Sequence, residues 1–91
     1  MSEAEAEAYR ALVPDWSLQD GGRRIERRYR FQDFAAAFAF VRLVAEVAEA
    51  QGHHPDISFG WGYVVVSLQT KTIKGLHEND FIMASKIDRL I

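Results

Sequence analysis

The sequence predicts an α+β fold, a four-stranded antiparallel sheet with helices packed on one face, in the order α-β-β-α-β-β-α. Three observations carry that reading. Two long stretches alternate apolar and polar residues, and each follows a shorter strand-like segment across a glycine-containing turn. Between them lies an apolar-rich run at helical period, and the chain's 91 residues are enough for one core and no more. A single domain over residues 1–91 is expected.

From Ser2 to Leu12 alternating Glu and Ala favour a short, loosely held helix, which Pro14 stops because the residue before a proline is pushed out of the helical region. Trp16 to Leu18 opens a strand, and Asp20-Gly21-Gly22 is a tight-turn signal leading into a second strand from Arg23 to Phe31. In that strand Ile25, Tyr29 and Phe31 share one face, Arg24, Glu26, Arg28 and Arg30 share the other, and Arg27 interrupts the apolar side. Asp33 is the expected N-cap of a helix from Phe34 to Gln51, and Gly52 is placed to end it. Phe34, Phe38, Val41, Ala45 and Ala48 repeat at helical spacing there. Phe40, Leu43, Val44 and Val47 widen the apolar arc, leaving Arg42, Glu46 and Glu49 as a narrow polar stripe. Such an arc fits a helix lying on a sheet, or one that also meets a second subunit; the pattern leaves both open. Ile57 to Phe59 reads as a strand, Gly60 and Gly62 flank Trp61 at a turn, and Tyr63 to Thr70 reads as a longer strand. Val64, Val66, Leu68 and Thr70 would face the core, with Tyr63, Val65, Ser67, Gln69 and Lys71 on the opposite side, available to a ligand or partner. Gly75 breaks the chain before a last helix from Asn79 to Leu90, with Asp80 in its first turn.

Composition narrows the classes of function. The chain is 48% hydrophobic with no cysteine, so neither disulfides nor a thiolate metal site contributes. The N-terminus MSEAEAEAYR has neither the basic start nor the apolar run of a secretory signal. No stretch approaches the ~20 apolar residues of a membrane span. A cytoplasmic protein with no membrane partner is expected. A formal charge of −2 gives no global attraction to phosphate backbones, and the run Arg23, Arg24, Arg27, Arg28, Arg30 reads as charge on an exposed strand face. No direct nucleic-acid partner is expected. Small size favours association into a homo-oligomer.

Titratable residues concentrate in Glu49-Ala50-Gln51-Gly52-His53-His54-Pro55-Asp56, at the exit of the long helix. A histidine gives or takes a proton near neutrality because its reference pKa is ~6.5, and successive histidines in extended chain present their rings to different faces. Pro55 holds His54 extended. Glu49 and His53 are four residues apart, but no third ligand is close in sequence, so a metal site is not expected. Ser58, Ser67 and Ser85 lack the glycine-flanked setting of a nucleophilic serine. On spacing alone an acid/base site and a pair of histidines that merely terminate a helix both stand. Trp61 reads equally as a packing residue and as a stacking platform.

These residues resemble the signature of the pterin-4a-carbinolamine dehydratase family, and the likeness runs from Trp16 to Ile87. That signature is an acidic residue, three residues, His-His-Pro, five residues, an aromatic, nine residues, a histidine, and an aspartate further on. Glu49, His53, His54, Pro55, Trp61 and Asp80 fall on it in register, while Lys71 stands where the family carries its third active-site histidine. DFAAAFAFV, GHHPDI and GLHENDFIMASKID also look like family sequence. The resemblance implies dehydration of 4a-hydroxytetrahydrobiopterin to the quinonoid dihydropterin in tetrahydrobiopterin recycling. It implies His53, His54 and Lys71 as catalytic residues, Glu49, Pro55, Trp61 and Asp80 as substrate-binding residues, and no metal or cofactor. Lysine's reference pKa of ~10.4 makes Lys71 a poor proton shuttle but suits it to binding anionic or carbonyl groups. His77 lies beyond Gly75, at the approach to the last helix. The resemblance further implies a homodimer or tetramer and a protein partner. That partner is an aromatic amino-acid hydroxylase if the chain is an enzyme. If the chain is a dehydratase-like scaffold, it is Rubisco in carboxysome-bearing bacteria or a transcription factor that needs a dimerisation cofactor.

Overall fold

Ser2 opens the first helix by a reciprocal cap: its hydroxyl accepts from the Glu5 N–H at 3.1 Å, and the Glu5 carboxylate accepts from the Ser2 N–H at 2.9 Å. The computed structural model describes residues 1–91. Helix α1 spans Glu3–Arg10 and ends two residues before the expected boundary, the chain turning through Ala11 and Leu12 ahead of Pro14. It is not loosely held, because Ala6 is fully buried and its flank seats on the following hairpin.

That hairpin joins β1 (Ser17–Gln19) to β2 (Arg24–Arg30), Ser17 standing opposite Glu26. The tight turn expected at Asp20-Gly21-Gly22 is a single 3-10 turn, with Arg23 completing the connection. Asp20, Gly21 and Gly22 all have positive φ, at 53°, 64° and 85°. Two glycines in succession relieve a backbone path that other residues adopt only at a cost. Helix α2 (Phe34–Gln51) has the predicted bounds; Asp33 Oδ1 accepts from the Ala36 N–H at 2.8 Å, and Gly52 closes it in the left-handed conformation, φ 64°. Strands β3 (Asp56–Gly60) and β4 (Tyr63–Leu68) form the second hairpin, and α3 runs Glu78–Asp88.

All pairings are antiparallel and the sheet order is β1-β2-β4-β3, so the two long strands are central. Ile25 and Tyr29 of β2 and Val64, Val66 and Leu68 of β4 are buried, alternating with less buried neighbours as a strand requires. They join Ala37, Phe40, Val44 and Ala48 of α2 and Phe81, Met83, Ala84 and Ile87 of α3 in one apolar cluster. The buried seam of α2 is therefore Ala37-Phe40-Val44-Ala48. Phe34 and Phe38 lie beside it, each 47% exposed, with their rings against Phe59 of β3.

Two further sequence expectations change. Arg27, which interrupts the apolar side of β2, is absorbed: its guanidinium lies 4.2 Å from the Tyr29 ring centre and 2.8 Å from Asp88 at the end of α3. Thr70 is not part of β4. The strand stops at Leu68, and Thr70 instead forms an isolated bridge with Gly75 that closes the loop carrying Lys71.

Candidate active site

The α2–β3 junction, the end of β4 and the start of α3 converge at one end of the sheet, and the titratable residues gather there. Gly52 makes the convergence possible. Its left-handed conformation reverses the chain while the Gly52 and His53 N–H groups both donate to the Ala48 carbonyl. The reversal carries the His53 ring toward α3, where Nε2 lies 2.6 Å from Asp80 Oδ1.

Asp80 is wholly buried, so its carboxylate must be satisfied by the protein. Oδ2 accepts from the Thr70 hydroxyl at 2.8 Å and from the His77 N–H at 3.0 Å. Oδ1 is the acceptor left for His53, which assigns the Nε2 proton to this bond and leaves Nδ1 outside it. His77 is the N-cap of α3; its own Nδ1 accepts from the Asn79 N–H at 3.1 Å, which engages it in structure.

His53 and Gly52 form part of the wall of two hollows. One, about 380 Å³, is bordered by His54, Gln69, Thr70, Lys71 and Thr72 with no hydrophobic side chain. The other, about 180 Å³, is bordered by Gln51, Asn79, Ile82 and Met83. The side chains that border the first carry groups able to hydrogen-bond a ligand. Lys71 stands at its rim, its side chain 67% exposed and its Nζ 3.5 Å from Asp56 Oδ1 at the start of β3. His54 turns outward and its Nε2 meets Glu49 Oε2, both side chains largely exposed, so this pair adds little to stability. Pro55 links them to β3.

Of the seven residues that the resemblance implicates, six lie at this end of the molecule. Trp61 does not. It sits in the β3–β4 turn, 74% exposed, beyond the far end of a strand that is itself about 14 Å long, and within one chain it does not border the cleft. Thr70 is the residue that sequence reasoning missed. Its strand periodicity pointed to a core position, whereas its hydroxyl serves the buried carboxylate; a threonine one residue before a candidate site position was the available signal.

The chain matches the family model described as pterin 4 alpha carbinolamine dehydratase over residues 1–90. A protein of Azoarcus sp. (strain BH72) named "Putative pterin-4-alpha-carbinolamine dehydratase" is 58% identical over 90 residues, covering 99% of this chain and 77% of that protein. Among solved structures, a transcriptional coactivator/pterin dehydratase from Brucella melitensis superposes with a TM-score of 0.90 at 32% identity, covering 98% of this chain and 95% of the other. A pterin dehydratase-like protein identified as a RuBisCO assembly factor in the alpha-carboxysome is similar at a TM-score of 0.72 and 30% identity, over 84% and 88% of the two chains.

Proposed function

The chain belongs to the pterin 4 alpha carbinolamine dehydratase family, and on that premise we propose that it removes water from a 4a-hydroxytetrahydropterin by histidine acid/base catalysis. The observation that carries the reading is the His53–Asp80 pair, 2.6 Å apart, with His53 in the wall of the cleft and Asp80 buried behind it. In the reaction the N5–H bond and the C4a–O bond break. The N5–H electron pair becomes the C4a=N5 double bond of the quinonoid dihydropterin, and the hydroxyl leaves with a proton as water. His53 Nδ1 takes the N5 proton while Asp80 holds the resulting imidazolium. His54 holds or protonates the pterin at the cleft mouth, Lys71 binds its carbonyl edge, and Glu49, Pro55 and Asp80 support these groups. The two exposed phenylalanines of α2 favour a homodimer or tetramer. The enzyme serves an aromatic amino-acid hydroxylase, whose product it returns to the tetrahydrobiopterin cycle.

Lys71 supports a second reading, a dehydratase-like scaffold that binds a protein such as Rubisco or a transcription factor. An ammonium tied to Asp56 is a weak substitute for an imidazole in proton transfer. Lys71→His decides between them. If the wild type is an enzyme, the variant should raise an already measurable kcat/KM by on the order of ten- to a hundredfold. Activity only in Lys71→His would favour the scaffold, and a variant slower than wild type would mean that Lys71 itself serves the reaction.

A further inference from the structure

We propose that Thr70 is a positioning residue, whose hydroxyl fixes the Asp80 carboxylate in the orientation that holds His53 with its proton on Nε2. The proposal rests on the reading of His53 as the acid/base group. Asp80 is 0% exposed and meets three donors, each of a different kind. The His77 N–H belongs to the cap of α3 and travels with the aspartate itself, so it cannot set the carboxylate relative to the rest of the site. The His53 ring is the group being positioned. Thr70 is the one donor anchored elsewhere, on the segment that follows β4, and at 2.8 Å its hydroxyl fixes the rotation of the carboxylate about its last bond.

Thr70 is well placed for this. Its N–H donates to the Gly75 carbonyl at 2.8 Å and its carbonyl accepts from the Gly75 N–H at 3.3 Å, so both main-chain groups are held and the side chain has a fixed origin. The same two bonds close the loop from Lys71 to Lys74, whose last residue has a positive φ of 50°. One residue therefore sets the lysine side of the cleft and the acid/base side in register. A hydroxyl is needed rather than bulk, because an ionised carboxylate only accepts.

The test is the His53 Nε2–H proton, followed by nitrogen-resolved NMR in wild type, Thr70→Ala, Thr70→Ser and Asp33→Ala at about pH 8, where a free imidazole is neutral. In wild type and Thr70→Ser the proton should be shifted far downfield and exchange slowly. In Thr70→Ala its exchange should accelerate about tenfold, the effect of losing one hydrogen bond. Asp33→Ala removes a comparable bond at the other end of α2 and should leave the signal unchanged, which separates positioning from general loosening. Dehydration by Thr70→Ala should fall by on the order of ten- to a hundredfold in kcat, with recovery in Thr70→Ser. Equal Nε2–H protection in wild type and Thr70→Ala would overturn the proposal. Should Thr70→Ala not fold, the wild-type Thr70 hydroxyl proton decides: slow exchange supports the role, and exchange at the rate of an exposed threonine refutes it. A wild type without dehydratase activity but with this NMR pattern would sink the reaction and leave the positioning role standing.

Discussion

His53→Ala lowers kcat/KM for the 4a-hydroxytetrahydropterin by on the order of 10²- to 10⁴-fold, while His77→Ala leaves it close to wild type. The two histidines provide an internal control because the fold uses them differently. His53 presents its ring to a polar cleft with one nitrogen committed to Asp80. His77 spends its side chain on the N–H of Asn79. Losing that cap should cost about 1 kcal/mol of stability and little of the chemistry. Equal activity in the two variants would show that the His53–Asp80 pair is a structural tie and not a proton-transfer device.

The second large effect lies at the other end of α3. Asp88→Ala lowers the unfolding free energy by about 3–5 kcal/mol, a large share of the 5–15 kcal/mol typical of a domain. The Asp88 carboxylate accepts from Trp16 Nε1 at 3.0 Å, from Arg27 at 2.8 Å and from the Tyr29 hydroxyl. Burial, and then the bond to Asp88, hold that hydroxyl far above the ordinary tyrosine range, so it remains a donor at any pH the folded protein meets. Trp16 and Tyr29 are almost wholly buried, and removing the carboxylate strands their donors in the core and leaves Arg27 only the more distant Asp15, 3.6 Å away. Asp88→Asn keeps an acceptor oxygen and should lose less. Urea midpoints for the three proteins give the order directly; an Asp88→Ala midpoint matching wild type would mean that water replaces the carboxylate. Eight residues along a helix separate Asp88 from Asp80, about 12 Å, so activity per folded molecule should be unchanged.

The elements were legible where a local rule acts alone. Asp33 and Gly52 bracket α2 because a side-chain cap and a left-handed exit depend only on neighbours, and the alternation Val64-Val66-Leu68 states the buried face of β4 outright. The seam of α2 was less legible. Eighteen residues so rich in Ala, Val and Phe offer several helical stripes of similar hydrophobicity, and only the partner surface chooses the one through Ala37, Phe40, Val44 and Ala48. Arg27 looked like a fault in a strand because its partner Asp88 lies 61 residues away. The site followed the same division. His53, His54 and Glu49 share one stretch of sequence and were visible together. The join to Asp80 spans 27 residues and rested on the family signature, and Thr70 was hidden because strand periodicity assigns a face and not a hydrogen bond. Trp61 shows the converse, since a residue in register with a family pattern sits at the far end of the hairpin.

The most direct test is the decay of enzymatically generated 4a-hydroxytetrahydropterin, followed by absorbance with the wild-type chain far below the pterin concentration and without it. Acceleration with many turnovers per chain is the predicted result, and it would establish that the chain dehydrates the pterin with Lys71 in place of the third family histidine. Decay at the uncatalysed rate, even with protein equimolar to pterin, would contradict the account and turn the cleft into a feature of a protein-binding scaffold.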